Sequence, residues 1–297
     1  MISIIIVNYN TMQLTINCIA SIYNYTKNIN FEIIVVDNAS SDNSVPQIRE
    51  KFPDVRIVEA AENLGFGRAN NLGASLAKGE YLFFLNSDTV FVENSLFKIL
   101  DFFNKNENDL NIGVLGCLMI DENNEVNGFG STFPSVASFN REIIKSIPIV
   151  GKFIENSTTD YNLNQEYFEV EYVLGADMFM RKALFDTVSG FDPNYFMYYE
   201  ESDLQLIISR SQYKNYIFTG TKIIHLEGGS FTEKKKISNF KRIIVHTSRV
   251  YYAKKNFPKD YYKFKILDIS KLLLSIFNYK YRFTENLKYI TDIIKKY

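Results

Sequence analysis

Short runs of consecutive apolar residues alternate with helical patterns along the first part of the chain. The runs are Ile2–Val7, Glu32–Asp37, Val55–Val58 and Tyr81–Leu85, and Phe66–Ala77 has a helical pattern. Continuous apolar runs of this length are typical of strands covered on both faces. Strands that alternate with helices of about a dozen residues indicate a parallel sheet. The order therefore predicts an α/β fold, with a Rossmann-like, mostly parallel sheet flanked by helices.

Polar residues follow three of these runs at the point where each one ends. They are Asn8, Tyr9 and Asn10, then Asp37, and then Asn86, Ser87 and Asp88. In an open parallel sheet, ligands bind beyond the carboxyl ends of the strands. A carboxylate placed there suits Mg²⁺ or Mn²⁺, especially an ion that also holds phosphates. The alternative is that Asn-Ser-Asp only starts a turn or caps the next helix.

A second group of candidate residues lies in the later part of the chain. Glu200, Glu201 and Asp203 follow the aromatic segment Tyr195–Tyr199, at the start of a predicted helix. The helix dipole favours such an acidic first turn, which is the structural explanation. Carboxylates beside apolar rings also tend to have a raised pKa, and that property suits a general base.

His225 closes a predicted strand before the flexible loop Gly228-Gly229-Ser230. A lone histidine is more often structural than a ligand, but this position favours a role in binding a metal or a diphosphate. For His246 we predict a structural role. In the segment Glu62–Asn71, two glycines and Arg68 accompany a helix N-terminus that would face an anion. That segment matches neither the dinucleotide pattern nor the P-loop pattern.

The remaining segments are less informative. We predict a helix over Asn94–Phe103, a strand over Ile112–Met119 and a hairpin or loop within Asp121–Ser135. Ser138–Gln165 has no strong period, which is typical of lids and mobile loops. Further along the chain, two short strands are predicted at Tyr216–Phe218 and Thr221–His225. Basic, Tyr-rich helices are predicted from about Lys236 onward.

Charge is distributed unevenly along the 297 residues, although the net charge is only −1. Phe240–Tyr297 contains 14 Lys and Arg residues against four Asp and Glu residues. A basic, aromatic tail on an acidic body predicts an anionic partner, and an anionic membrane surface fits this pattern. The alternative is a solvated helical cap on the catalytic domain.

Composition excludes several other classes. No apolar run approaches the roughly 18 residues of a membrane span, and the first residues lack a secretory signal. Cys18 and Cys117 lack metal-ligand spacing, so we predict buried, reduced thiols in a cytoplasmic protein. No nucleic-acid module is found.

Taken together, these segments resemble the inverting nucleotide-sugar glycosyltransferases of family 2, which have the GT-A fold, and most closely their bacterial rhamnosyltransferase-like branch. The resemblance covers nearly the whole chain. Its motifs are Ile4–Asn10, Val35–Asp42, Asn63–Asn71, Leu85–Asp88, Gly175-Ala176, Gly190-Phe191-Asp192, Phe196–Leu204, His225–Ser230 and Ser248–Pro258.

The resemblance implies a set of nucleotide and metal ligands. Asp37 would accept a hydrogen bond from the imide of uracil or thymine. Asn86, Ser87 and Asp88 stand at the family's Asp-x-Asp metal motif. Its first member is Asn here, so Asp88 would be the main carboxylate ligand of Mg²⁺ or Mn²⁺, and His225 a metal or diphosphate ligand. The other nucleotide-binding residues implied are Asn8, Tyr9, Asn10, Asn63 and Arg68.

The resemblance also implies the catalytic group. In the family's Glu-Asp pair the second carboxylate is the general base, and that position is Glu201, one methylene longer than the usual Asp. Either Glu201 or Asp203 would therefore take the proton. Glu200 would orient the acceptor.

The predicted protein is an inverting, metal-dependent hexosyltransferase of bacterial polysaccharide synthesis. It would transfer rhamnose, galactose, glucose or an N-acetylhexosamine from a UDP- or dTDP-sugar to a saccharide acceptor, lipid-linked in the favoured case. A nucleotidyltransferase and a non-catalytic carbohydrate-binding relic are the alternatives. We predict a catalytic domain over residues 1–235, with a nucleotide-sugar half over about 1–120 and an acceptor half over about 121–235. Residues 236–297 are predicted to form a basic, aromatic helical C-terminal extension, for which peripheral membrane contact and a solvated cap are the two interpretations.

Overall fold

The apolar runs of the sequence form the strands of a large mixed sheet. The computed structural model describes residues 1–145, 161–226 and 237–297. The described strands are β1 (Ile2–Asn8), β2 (Phe31–Asp37), β3 (Arg56–Glu59), β4 (Tyr81–Asn86), β5 (Thr89–Phe91), β6 (Ile112–Ile120), β7 (Val126–Gly128), β8 (Gly130–Ser131), β9 (Tyr167–Val170), β10 (Tyr172–Val173), β11 (Asp177–Arg181) and β12 (Lys214–His225).

Helices follow most of these strands, and a short 3-10 helix lies at Ser275–Phe277. The described α-helices are α1 (Met12–Tyr25), α2 (Ser44–Lys51), α3 (Phe66–Leu76), α4 (Ser95–Leu110), α5 (Val136–Lys145), α6 (Lys182–Thr187), α7 (Glu200–Ser209), α8 (Asn239–Asn256), α9 (Tyr261–Leu274) and α10 (Phe283–Ile294).

The strands of the main sheet follow the order β3-β2-β1-β4-β11-β6-β12-β5. β1 pairs in parallel with both β2 and β4, and β6 pairs in parallel with β12. β11 lies between the two parallel parts and runs antiparallel to both β4 and β6. Phe83 and Phe84 on β4 are both fully buried, because helices cover both faces of the sheet. The predicted α/β fold with a mostly parallel sheet is confirmed.

Most predicted elements are present, and two predictions were wrong. The two short strands predicted near Tyr216 and Thr221 are one strand, β12. Its register on β6 shifts between Phe218 and Lys222, so an irregularity interrupts the apolar pattern without ending the strand. Part of the segment without a strong period forms α5. The predicted loop Gly228-Gly229-Ser230 and the predicted boundary at 235/236 lie outside the described residues.

The chain divides into two compact units. The first comprises the described residues 1–132, 161–194 and 200–226, and contains the sheet. The second comprises 133–145, 195–199 and 237–297. It thus contains, besides the C-terminal helices, two segments that lie within the range predicted for the catalytic domain.

Aromatic side chains form the centre of the second unit. The ring of Phe139, on α5, lies 5.6 Å from that of Phe264 and 5.9 Å from that of Tyr199, measured between centroids. Tyr252 on α8 packs against the same ring at 6.3 Å. The basic, Tyr-rich helices predicted for this region are confirmed. Within the three described ranges, no helix has both the length and the apolar character that crossing a membrane requires.

Gly73 gives a test of how α3 packs on the sheet. A Cβ atom at this position would lie 2.5 Å from Ile5 Cγ2 and 3.2 Å from Val36 Cγ2. We expect Gly73→Ala to lower the free energy of unfolding by about 1–3 kcal/mol, because overpacking outweighs the gain in helix propensity. The measurement is urea denaturation. Ser75→Ala, at an exposed position of the same helix, is the control. A Gly73→Ala protein as stable as the control would contradict this packing.

Candidate active site

The end of β1 is joined to the end of β2 by buried hydrogen bonds. Asn8 Nδ2 donates to Asp37 Oδ1 at 2.7 Å, and Asn8 Oδ1 accepts from the hydroxyls of Thr11 and Thr15 at 2.9 and 2.7 Å. Asp37 Oδ2 accepts from the Ser40 backbone N–H at 3.0 Å. Asn8 is fully buried. In this arrangement Asn8 positions the Asp37 carboxylate.

The residues that follow β1 form an exposed loop beside this network. Asn10 has a positive φ of 54°, which an asparagine tolerates. Its backbone N–H donates to Ser40 Oγ, and its Oδ1 accepts from the backbone N–H of Ser41 at 2.7 Å. The Tyr9 side chain is 47% exposed. Its ring is therefore accessible to a planar ligand at the end of β1.

The loop before α3 is held by the neighbouring Asn38. Asn38 accepts a hydrogen bond from Leu64 N–H at 2.7 Å and donates to Asn63 Oδ1 at 2.9 Å. Gly65 precedes the helix with φ 78°, a conformation that favours glycine. Arg68 Nε donates back to Leu64 O at 2.7 Å. Asn63 and Arg68 therefore belong to a hydrogen-bonded turn at the start of α3.

The end of β4 forms the third corner of the site. Asn86 N–H donates to Ala176 O at 3.0 Å, and Asn86 O accepts from the Thr89 hydroxyl at 2.8 Å. The Ser87 hydroxyl lies 3.2 Å from that of Thr11. Thr11 also donates to Asn8 Oδ1. The Thr11 hydroxyl therefore connects the end of β4 to the network that holds Asp37.

Asp88 and His225 meet although 137 positions separate them in the sequence. Asp88 Oδ1 lies 3.4 Å from His225 Nε2. Pairing of β12 with β5 produces this contact, since His225 is opposite Thr89 and Leu226 N–H donates to Asp88 O at 3.0 Å. Within the described ranges, no group of three or more His, Cys, Asp or Glu side chains has a metal-binding arrangement. The described chain thus offers two adjacent side chains at this point that could ligate a metal ion, Asp88 and His225.

Gly175 and Ala176 connect this corner to the acidic helix α7. Ala176 O accepts the hydrogen bond from Asn86. On the other side, a Cβ atom added to Gly175 would lie 3.4 Å from Phe66 Cε1 and 3.6 Å from Glu201 Cβ. These are ordinary van der Waals distances, so α7 packs against the loop before β11 at this point. Asn86 and Glu201 flank the same two-residue segment.

The three carboxylates of α7 have different environments. Glu200 and Asp203 are buried, and Glu200 packs on Gly67, where an added Cβ would lie 3.5 Å from its Cβ and Cγ. Glu201 is partly exposed. Desolvation raises the pKa of the Glu201 carboxyl above its usual value, although backbone N–H groups at the helix start oppose the shift. The two residues before the helix, Tyr198 and Tyr199, both have φ 71°, a strained conformation for non-glycine residues.

A buried carboxyl that the sequence did not single out lies at the start of β11. Asp177 is fully buried, and its Oδ2 accepts from Cys117 N–H at 2.7 Å. Burial raises the pKa of Asp177 to about 7, with hydrogen bonds from Cys117 and the charge of His225 acting in the opposite direction. Cys117 and Cys18 are both buried and form no disulfide, as predicted.

Sequence reasoning also missed several side-chain amides that hold the site's backbone. Asn71 donates to Phe191 O at 2.7 Å and accepts from Phe191 N–H at 2.9 Å. Gln205 makes the same pair of bonds to Val173, at 2.8 and 2.7 Å. In the sequence, each of these amides is a polar residue on the apolar face of a helix. That position could have indicated their role, because a buried amide requires hydrogen-bond partners.

Known proteins resemble this chain in sequence. The poly(ribitol-phosphate) beta-glucosyltransferase of Bacillus spizizenii is 34% identical over 119 residues, which are 38% of this chain and 19% of that protein. The N-acetylglucosaminyl-diphospho-decaprenol L-rhamnosyltransferase of Mycobacterium tuberculosis is 24% identical over 65% of this chain and 66% of its own. The Staphylococcus aureus poly(ribitol-phosphate) beta-N-acetylglucosaminyltransferase TarP is 24% identical over 94% and 93%. This chain thus covers only about a fifth of the length of the first of these relatives and just under two thirds of the second.

Solved structures show the same fold. S. aureus TarS 1-349 in complex with UDP superposes with a TM-score of 0.55 at 16% identity, over 99% of this chain and 80% of that one. The mannosyltransferase PcManGT from Pyrobaculum calidifontis, in complex with GDP-Man and Mn²⁺, superposes with a TM-score of 0.56 at 16% identity, over 99% and 73%. These likenesses confirm the predicted GT-A fold.

The family model of glycosyl transferase family 2 matches residues 3–188. That range begins in β1 and ends after α6, so it contains the ends of β1, β2 and β4 and the Gly175-Ala176 segment. This match, together with the sheet order and the convergent strand ends, shows that the chain belongs to glycosyl transferase family 2.

Proposed function

We propose that this protein transfers a hexosyl group from a UDP- or dTDP-sugar to a saccharide acceptor, with inversion at the anomeric carbon. The observation that carries the proposal is the position of Glu201 and of the Asp88–His225 pair. Glu201 lies beside Gly175, whose neighbour Ala176 bonds Asn86, and Asp88 follows two residues later. A proton acceptor and a diphosphate-binding corner are therefore held on either side of one short segment. Membership of family 2 disfavours the nucleotidyltransferase alternative.

For the donor nucleotide, the proposed site is formed by the ends of β1 and β2. The Asp37 carboxylate, held by Asn8 and Ser40, is fixed to accept a hydrogen bond from a pyrimidine imide. The exposed ring of Tyr9 offers a surface for stacking. Asn10, Asn63, Arg68 and Ser87 complete the proposed set. The complex of TarS with UDP supports a pyrimidine nucleotide, since that structure shares the fold.

The Asp88–His225 corner fits a divalent cation. A carboxylate oxygen and an imidazole nitrogen 3.4 Å apart are near enough to share one ion, and two diphosphate oxygens and water would complete a shell of the Mg²⁺ or Mn²⁺ type. The Mn²⁺ in the complex of PcManGT supports this assignment. Such an ion, when bound, stabilises negative charge on the departing diphosphate.

Glu201 is the proposed general base. It takes the proton of the acceptor hydroxyl, whose oxygen attacks the anomeric carbon from the face opposite the leaving nucleoside diphosphate. A carboxyl whose pKa is raised by desolvation suits this role, and the Glu201 residue is less deeply buried than Asp203. Glu200, packed on Gly67, is proposed to orient the acceptor. Asp203, in the same first turn, stabilises the start of α7.

The proposed acceptor is a saccharide of a bacterial polysaccharide, carried on a lipid. The relative named for an N-acetylglucosaminyl-diphospho-decaprenol supports a lipid-linked saccharide, and those named for poly(ribitol-phosphate) support a polymeric acceptor. We further propose that the second unit contacts an anionic membrane surface, because its C-terminal part is strongly basic and exposes aromatic side chains.

Replacement of Glu201 by Gln tests the base. We expect transfer to fall by about 10²–10⁴-fold, because the glutamine amide cannot take the proton of the acceptor. UDP binding, measured by calorimetry, should stay unchanged. In the wild-type enzyme the rate should fall on the acid side as Glu201 is protonated, at a pH above the usual glutamate pKa of about 4.3.

Two further variants identify the carboxylate. Glu122→Gln, at an exposed position, should transfer like the wild type. Asp203→Asn should lower the melting temperature and retain transfer at temperatures where it is folded. Wild-type turnover in Glu201→Gln, combined with an inactive but folded Asp203→Asn, would assign the proton to Asp203 instead.

Replacement of Asp88 by Asn tests the diphosphate corner. UDP at about one hundred times its Kd should stabilise the wild type by about 2.7 kcal/mol in the presence of Mn²⁺, seen as a rise in melting temperature that ADP and GDP do not produce. Asp88→Asn should lose the Mn²⁺-dependent part of this rise. Asp109→Asn, at an exposed position of α4, is the matched control. The absence of any nucleotide-dependent rise in the wild type would refute the donor assignment.

A further inference from the structure

A cavity of about 250 Å³ lies within the second unit, lined by α8, α9 and α10. Val245 and Leu272 contribute apolar surface. Its charged lining consists of four cations, one carboxylate and a histidine, which are Lys241, Arg242, Arg249, Lys271, Asp268 and His246. Lys241 is exposed, whereas Arg242, Arg249 and Lys271 are partly buried. Like charges repel more strongly where water is partly excluded.

The one carboxylate of this cavity is already neutralised. Asp268 is almost fully buried, and accepts hydrogen bonds from Arg249 Nη2 at 2.8 Å, from the Tyr297 hydroxyl, and from His246 Nε2 at 2.5 Å. Burial would raise the pKa of Asp268, but these neighbours hold it below its usual value. Burial lowers the pKa of His246, whose other ring nitrogen contacts the Tyr289 hydroxyl. Asp268 thus pairs with Arg249, and burial disfavours the charged form of His246.

The cation Arg242 contacts mainly neutral side chains, although the charge of Glu285 also acts on it. The guanidinium of Arg242 stacks 3.6 Å from the ring centroid of Tyr289, and both its Nη atoms donate to Asn286 Oδ1. Arg242 Nε is buried, and in the described ranges no hydrogen-bond acceptor reaches it. The ammonium of Lys241 lies 5.6 Å from the centroid of the Tyr198 ring.

Lys271 is the most informative of the four. It is partly buried, and no hydrogen bond or ion pair joins its ammonium to any other part of the described chain. Burial and the nearby charge of Arg249 lower its pKa, and the charges of Asp268 and Glu142 offset this shift only in part. The folded protein therefore holds this cation in a place that disfavours its charge. A bound anion would remove that penalty.

We propose that this cavity binds the phosphoryl group of a phosphate or diphosphate ligand, with Lys271 and Arg242 as the principal cations. A phosphoryl dianion matches the positive charge that remains beside Asp268 and Glu142, whose carboxylate lies 3.9 Å from Arg249, and its several acceptor oxygens suit guanidinium and ammonium donors together. The volume exceeds the roughly 30 Å³ of one water molecule several times over.

The surroundings of the cavity favour a phosphoryl group on an apolar carrier. Phe240, which precedes Lys241, is 68% exposed, and Leu274, next to the lining residue Ser275, is 65% exposed. Phe277 follows at 81%. This proposal rests on the proposed function in one respect, which is the choice of a lipid as the carrier of the phosphoryl group. Phosphoryl binding itself requires no sugar transfer.

Calorimetry with inorganic pyrophosphate, on the full chain and with EDTA present, tests the site. Wild type should bind, and Lys271→Gln should bind at least tenfold more weakly. Lys263→Gln, an exposed lysine on the same helix whose side chain is 80% accessible, should bind like the wild type. Without ligand, Lys271→Gln should melt at the same or a higher temperature, because it removes a disfavoured charge.

The same titration separates this site from the donor site. Asp88→Asn should bind pyrophosphate like the wild type under these conditions. Loss of binding in Asp88→Asn, equal weakening by both lysine variants, or no binding by the wild type would each overturn the proposal. UDP binding with Mn²⁺, measured on the same samples, reports on the proposed function independently.

Vesicle flotation distinguishes the sources of the phosphoryl group. If it is a lipid headgroup, vesicles of phosphatidylcholine with phosphatidic acid should capture the wild type and Lys263→Gln but not Lys271→Gln. If it is a soluble phosphate, pyrophosphate binding should depend on Lys271 while capture is equal in all three proteins. Either pattern, together with Lys271-dependent binding of pyrophosphate, supports the cavity as a phosphoryl site. Equal capture without any Lys271-dependent pyrophosphate binding contradicts it.

Discussion

The site depends on β4 having neighbours that run in opposite directions. β4 pairs in parallel with β1 and antiparallel with β11. The carboxyl end of β4 therefore adjoins both the end of β1 and the start of β11. In consequence, the polar residues after β4 lie beside Gly175-Ala176, and the hydrogen bond from Asn86 N–H to Ala176 O joins the two segments. An all-parallel sheet would place the loop before β11 at the opposite edge.

Side-chain amides and carboxyls hold the backbone where the strand ladders end. Asn8 fixes Asp37, Asn38 fixes the turn before α3, Asn71 holds Phe191, Gln205 holds Val173, and Asp177 accepts from Cys117 N–H. A buried polar group without a partner is costly, so each of these bonds is strongly specified. This explains how a site built from loops keeps a defined geometry before any ligand binds. Asp177 is satisfied only in part, since its Oδ2 accepts from Cys117 N–H while its buried Oδ1 has no hydrogen-bond partner among the described residues.

The second unit uses its polar groups in a different way. Its aromatic centre around Phe139 resembles an ordinary core, while the cavity lined by α8, α9 and α10 collects cations whose charges are only partly balanced. A stable fold does not require such an arrangement, since neutral residues would avoid the desolvation and the repulsion. Strain of this kind, like the positive φ of Tyr198 and Tyr199, is typical of functional sites. The first unit carries the proposed chemistry, and the second offers a recess for an anion.

Local sequence determined the strands, most of the helices and the family, because apolar runs, helical periods and short motifs are properties of neighbouring residues. The order of polar strand ends was sufficient to select Asn8, Asp37 and Asp88 as candidates. Tertiary structure alone decided that β12 is one strand with a shifted register, that Asp88 meets His225, and that Glu201 is partly exposed while Asp203 is buried. It also decided that Lys271 and Arg249 share a cavity. These facts depend on contacts between residues far apart in the chain, and on how completely each side chain is removed from water, which no local pattern encodes.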